Sequence, residues 1–75
     1  SVFYVVQVGA FHDERAAQEL RLRIEKKYTG VYVDKPRGGD NLYKVRIGRA
    51  LLREARRLQT LLREDNIDSI VIQMR

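Results

Sequence analysis

The 75-residue chain has no cysteine, one histidine and one proline, and none of its apolar runs approaches the ~20 residues of a membrane-spanning helix. Without cysteine there is no disulfide framework and no thiolate metal site. A domain this short must then hold together by aliphatic packing alone, and modest stability follows. No signal peptide is visible, and the lack of cysteine is compatible with any compartment. The same scarcity excludes most catalytic chemistry. The hydroxyls Ser1, Thr29, Thr60 and Ser69 fall at a chain end, in a loop, on a helix and at a strand start, none beside a base. His12 stands at a helix start, where a surface or capping role outweighs a catalytic or metal-binding one. Glu14, Glu19, Glu25, Glu54 and Glu64 belong to helices, and Asp40, Asp65 and Asp68 to loops. The two facing carboxylates of a glycosidase are therefore missing. Neither enzyme activity, a metal nor a cofactor is expected.

What the chain does contain is a duplication. Tyr4-Val5-Val6-Gln7-Val8-Gly9 returns thirty-nine positions later as Tyr43-Lys44-Val45-Arg46-Ile47-Gly48. Each copy is followed by an alanine and two large aliphatics at helical spacing, Ala17, Leu20 and Ile24 against Ala55, Leu58 and Leu62. A β-branched run closes each copy, Val31-Tyr32-Val33 against Ile70-Val71-Ile72. The helix anchors repeat at thirty-eight positions rather than thirty-nine, so the second copy loses a residue between Gly48 and Ala55 and regains it before Ile70, in turns. The unit is strand–helix–strand, written twice.

In chain order, the pattern predicts a strand from Val2 to Val8 with Gly9 as its break. A helix follows, capped by His12 or Asp13 and buried along Ala17, Leu20, Ile24 and Tyr28. Gly30 ends it, and Val31–Lys35 is a short second strand. Pro36-Arg37-Gly38-Gly39-Asp40-Asn41 is turn chemistry throughout. Leu42–Ile47 alternates cleanly as a third strand. A second helix over Leu51–Glu64 lacks a Ser, Thr, Asp or Asn cap, which predicts a frayed first turn. Ser69–Met74 is the last strand. Residues 1–75 then form a single α+β domain, a ferredoxin-like βαββαβ sandwich whose antiparallel sheet is ordered 4-1-3-2, with both helices on one face. Because the chain opens directly on a strand, it is expected to be a piece of a longer protein.

If Tyr4, Val6, Val8, Tyr43, Val45 and Ile47 face the helices, alternation puts a different set on the open side. These are Phe3, Val5 and Gln7 from the first strand, Tyr32 from the second, Leu42, Lys44 and Arg46 from the third, and Val71 and Gln73 from the fourth. That face mixes apolar surface with amide and guanidinium donors. It places two cations near its centre and has no anion, Asp34 at its margin excepted. Apolar surface rimmed by polar groups marks a binding site, whereas a merely solvated or covered sheet is the plainer alternative. Fifteen Lys and Arg against ten Asp and Glu give a net charge of +5, which favours an anionic partner.

At these residues the chain resembles the SPOR (sporulation-related repeat) family of bacterial cell-wall-binding domains. The family's half-motifs look like an aromatic followed by V-Q-V-G-A/S-F, then R-V-x-V-G, each trailed by a helix with A-x-x-L-x-x-x-L spacing. Here they stand as Tyr4-Val5-Val6-Gln7-Val8-Gly9-Ala10-Phe11 and Tyr43-Lys44-Val45-Arg46-Ile47-Gly48, and the resemblance covers essentially the whole chain. Arg49-Ala50 departs from it, since the family usually has Pro and Phe there. The resemblance implies binding of peptidoglycan glycan strands, preferentially those denuded of stem peptides. It also implies a place in the bacterial envelope, at division septa or other remodelling sites. Gln7, Ala10, Lys44 and Arg46 match motif positions, and Phe3, Val5, Tyr32, Leu42 and Val71 join the glycan groove by position.

Removing the stem peptides leaves a carboxylate on each lactyl group, which Lys44 and Arg46 are expected to meet. Phe3, Tyr32 and Leu42 would lie against sugar rings, and Gln7 would donate and accept. The competing class is RNA binding, because the same fold, as an RNA-recognition motif, stacks bases on aromatics of its central strands. Here the third strand offers Leu42, Lys44 and Arg46 instead. Nucleic acid is therefore not expected as a partner, nor is membrane contact by the domain itself. A monomer is expected.

Overall fold

The computed structural model describes residues 2–75; Ser1 and its hydroxyl lie outside them. The elements are β1 (Phe3–Phe11), α1 (Glu14–Ile24), β2 (Val31–Asp34), β3 (Tyr43–Ala50), α2 (Leu52–Glu64) and β4 (Ile70–Met74). All strand pairs are antiparallel and the sheet order is β2-β3-β1-β4, the expected arrangement.

The core lies between this sheet and the two helices. Val6, Ile24, Tyr28, Ile47, Ala55 and Leu62 form one buried cluster, against which Tyr4, Val8, Leu20, Leu58 and Val71 pack. Val45 and Ala17 are also fully buried. The alanine of each half thus sits under its helix, where a larger side chain would hold the helix off the sheet.

Both central strands run past the glycines expected to end them, and both do so through bulges. Register shifts between Gln7 and Gly9 and between Tyr4 and Val5 let β1 continue to Phe11 and β3 to Ala50. Gly48 is needed there for space, whereas at Gly9 the crowding is with side-chain ends that can turn aside. A Cβ on Gly9 would stand 2.7 Å from Leu20 Cδ2, and one on Gly48 would stand 2.9 Å from Val5 Cγ1 and 3.1 Å from the Tyr4 carbonyl oxygen.

The helix ends follow from local chemistry. Asp13, not His12, caps α1, its carboxylate accepting the Arg15 amide at 3.3 Å. His12 instead donates through Nδ1 to the Asn41 carbonyl at 3.2 Å, tethering the β2–β3 loop. The N-cap position of α2 is Leu51, which has no acceptor to offer. Glu54 reaches back to the Leu51 amide at 2.9 Å and supplies half of a capping box, offsetting part of the missing cap. The other end of α2 closes in a Schellman turn. Asn66 takes φ +62°, its amide donates to the Arg63 carbonyl, and the Ile67 amide donates to the Leu62 carbonyl, both at 2.9 Å.

One polar cluster ties the helix ends together. Asp65 accepts from the Tyr28 hydroxyl at 2.5 Å and from Lys27 Nζ at 2.8 Å. Those bonds hold the Asp65 carboxyl below the usual carboxylate range, Lys27 contributing most, and they raise both Lys27 and Tyr28. A carboxylate depressed in the folded state contributes stability that is present above its unfolded pKa and lost as pH falls through the folded value.

Two outcomes check the packing and the cluster. Val45→Ala should cost about 1–3 kcal/mol in urea denaturation. Thermal stability of the native chain should decline below about pH 4, and Asp65→Asn should lower it at neutral pH while flattening that acid limb.

Candidate functional site

Directly opposed residues in antiparallel strands share a face, so the register defines the open side. One row crosses all four strands: Tyr32 of β2 faces Arg46 of β3, which faces Gln7 of β1, which faces Ile70 of β4. A second row places Asp34 beside Lys44 and Lys44 beside Ala10. Val5 pairs with Gly48 and Ile72, and Phe3 with Met74.

Four of the expected site residues sit differently from the sequence reading. Val71 pairs with Val6 and packs into the helix-side core, so β4 shows Ile70, Ile72 and Met74 to the open side in place of Val71 and Gln73. Every residue of Ile70-Val71-Ile72 is apolar, so alternation alone could not choose its face, and a one-residue slip reverses the whole strand. Leu42 precedes β3 rather than belonging to it, its amide donating to Asp40 Oδ1 at 3.1 Å. Val5 is on the open side but has no accessible surface.

The fourth is Arg46, which is only 7% exposed. Its Nε donates to Gln7 Oε1 and its Nη1 to Asp34 Oδ2, each at 3.0 Å. An arginine withdrawn from water requires such partners. Arg37 Nη2 also reaches both Asp34 oxygens at 3.0 Å. Lys44 is paired as well, its Nζ 2.7 Å from Asp40 Oδ2. Lys44 and the Leu42 amide together hold the Asp40 carboxyl below its ordinary range. The central cations are therefore not unopposed: the end of β2 and the following loop bring an acid to each.

These pairings determine what the face can do. Arg46 occupies the Gln7 carbonyl oxygen and so fixes the amide's orientation. Among the described residues nothing accepts from Gln7 Nε2, which is left as a donor. Beside it lies a shallow depression of about 230 Å³ lined by Gln7, Val8, Gly9, Ala10, Asp68, Ser69 and Ile70. Tyr32 (37% exposed) and Ile70 (55% exposed) flank this donor as apolar surface. The Lys44–Asp40 pair has side chains 26% and 37% exposed, so it is a surface pair worth little, and an incoming anion can compete for the lysine. Larger concavities of about 500 and 540 Å³ border the helices, the first between Tyr28 and Leu61 and the second between Phe11 and Leu22.

The sequence reading also left out Arg49. It is the extra residue of the β3 bulge, and its guanidinium carbon lies 4.0 Å from the centre of the Phe3 ring.

Because Arg46 bridges three strands, its loss should register first as stability. Arg46→Ala should cost about 2–3 kcal/mol, toward the low side for a broken buried pair because Asp34 keeps Arg37. Gln7→Ala, which leaves the buried Arg46 Nε without its acceptor, should cost about 1–2 kcal/mol, and parallel urea denaturation of the two variants checks the order.

A family model described as the SPOR domain matches residues 1–73. Among solved structures, the chain is similar to the peptidoglycan binding domain of the B. subtilis cell wall lytic enzyme CwlC, determined in solution. Identity there is 33% and the TM-score 0.80, over 100% of this chain and 92% of that one. It is also similar to the crystal structure of the RlpA SPOR domain from Pseudomonas aeruginosa, with 26% identity and a TM-score of 0.76, over 93% of this chain and 96% of that one. A comparison with curated protein sequences finds no match. The repeated half-motifs, the βαββαβ topology and the match over nearly every residue agree: the chain belongs to the SPOR domain family.

Proposed function

We propose that this domain binds glycan strands of bacterial peptidoglycan on its open sheet face, without catalysis, and favours strands denuded of stem peptides. The observation that carries the reading is the row Tyr32–Arg46–Gln7–Ile70, in which a buried arginine presents an amide donor between apolar flanks. A polysaccharide offers what such a row takes: hydroxyl and carbonyl oxygens to accept from Gln7 Nε2, and apolar sugar faces to lie against Tyr32, Phe3 and Ile70. Ala10, exposed beside Lys44, lets the strand approach the backbone. The likeness to a peptidoglycan binding domain over the whole chain supports the same partner.

The preference for denuded strands follows from charge and bulk. A bare lactyl carboxylate can draw Lys44 from its weak surface pair with Asp40, whereas a stem peptide converts that carboxylate to an amide and adds volume over the sheet. Arg46 acts through Gln7, as a positioning residue. Val5 is buried within the open side, Val71 supports the sheet from the helix side, and Leu42 stands at the margin. In this reading the domain works as a monomer in the cell envelope, without nucleic acid or membrane contact. It carries the protein it belongs to toward septal or remodelling wall, where denuded strands are made.

Pull-down with purified sacculi checks the proposal. Retention should rise after an amidase removes the stem peptides and disappear once a muramidase cuts the strands short, with no muropeptides released by the domain itself. RNA binding would ignore both enzymes and fall steeply with salt. Gln7→Ala should weaken retention by about 1–2 kcal/mol, whereas Arg21→Ala on the helix side should leave it nearly unchanged. Equal losses for the two variants would mean diffuse attraction by a cationic protein.

A further inference from the structure

Three basic residues lie within reach of a ligand crossing β1 and β3, two on the open face and Arg49 at the bulge where that face meets the concavity beside the helices, and they differ in what already holds them. Arg46 is buried between Asp34 and Gln7, and Lys44 is bound to Asp40. Arg49 is exposed and, among the described residues, forms neither an ion pair nor a hydrogen bond with a side chain. It is nonetheless placed. The bulge makes it the extra residue between Gly48 and Ala50, opposite Val5 and Tyr4. The strands meet so closely there that a Cβ on Gly48 would stand 2.9 Å from Val5 Cγ1. The guanidinium then rests on Phe3, 4.0 Å from the ring centre.

A guanidinium seated on an aromatic ring has one face covered and its N–H edge free. The ring attracts the cation and limits its rotamers, so less freedom is lost when the edge is engaged. That edge matches a carboxylate with two parallel N–H···O bonds, which a lysine ammonium cannot do. Phe3 and Gln7 are four residues apart on β1, roughly 13 Å of strand. A ligand spanning both groups would therefore meet them with different sugar units, the Gln7 donor with one and the Arg49 edge with another.

We propose that Arg49, held on Phe3, is the specificity-determining residue that reads the lactyl carboxylate of a denuded glycan strand. This rests on the glycan-binding reading and assigns the carboxylate to a residue standing where the second half-motif departs from the family pattern. Phe3 is its seat, and Lys44 makes the weaker, ion-pair-limited contact.

The test uses the 75-residue chain and amidase-treated sacculi in two forms, untreated or with the lactyl carboxylates capped as methylamides by carbodiimide coupling. The native domain should bind the untreated form about tenfold more tightly than the capped form. Arg49→Gln should bind the untreated form about fivefold more weakly and distinguish the two by no more than about twofold, the remainder that Lys44 supplies, with an unchanged thermal midpoint. Arg49→Lys should recover only part of the discrimination, and Phe3→Leu should lose much of it. Arg53→Gln, the same charge change on exposed α2, should behave as the native domain does. If Arg49→Gln binds and discriminates as the native domain does, the assignment is wrong while glycan binding stands. If the native domain binds neither form, glycan binding itself is wrong, and the assignment falls with it.

Discussion

The open face of this domain depends on one buried cation. Arg46 lies in the middle of the sheet, on the side without helices, and is satisfied only because β2 ends in Asp34 and β1 carries Gln7 at the matching register position. The bridge crosses three strands with two hydrogen bonds of 3.0 Å each. It has two consequences at once. It fixes lateral register on a face that has no helix to impose it, and it commits the glutamine to donating. In the proposed reading a role in structure and a role in recognition fall on the same three residues, so a binding defect at Arg46 has to be read together with its stability.

The two sides of the sheet divide the work. The helix side holds the continuous aliphatic cluster and the Tyr28–Asp65–Lys27 clasp, which joins the end of α1 to the end of α2. The open side carries half-buried apolar residues and polar groups held by each other. Much of the net positive charge lies on the helices, on residues such as Arg15, Arg53, Arg56 and Arg57, which are exposed and solvated. Net charge therefore says little about the open face. Cations on that face and at its bulge are distinguished by their partners: Arg46 and Lys44 have acids, and Arg49 has a phenyl ring.

Much of this was legible in the sequence. The duplicated half-motif fixed the order of elements, and the clean alternation of Tyr43-Lys44-Val45-Arg46-Ile47 placed Val45 and Ile47 toward the helices and Lys44 and Arg46 away from them. Where alternation was absent, the reading failed. Ile70-Val71-Ile72 is apolar at every position, and its face is set by pairing with β1, which no local pattern reveals. Arg49 was obscured because a bulge interrupts the period-two pattern of β3 at that point. Asp34 was placed at the margin of the open face, but the pairings of the acids were hidden for another reason. Asp34 and Asp40 lie at a strand end and in a loop, so only the folded chain shows which cations they reach. A family motif carries the glutamine and the basic positions, but not the partners that make one of them inaccessible.

The central claim is that the open sheet face, and not a groove beside the helices, takes the ligand through a Gln7 donor oriented by Arg46. Its most direct test is a nitrogen-15 NMR titration of the chain with a short glycan strand free of stem peptides. The account predicts that the Gln7 side-chain amide and the backbone amides of Phe3, Ala10, Tyr32 and Ile70 shift together and saturate together, while those of Ala17 and Leu58 stay in place. Shifts gathered instead around Tyr28, Leu58 and Leu61, with the Gln7 side-chain amide unmoved, would contradict it.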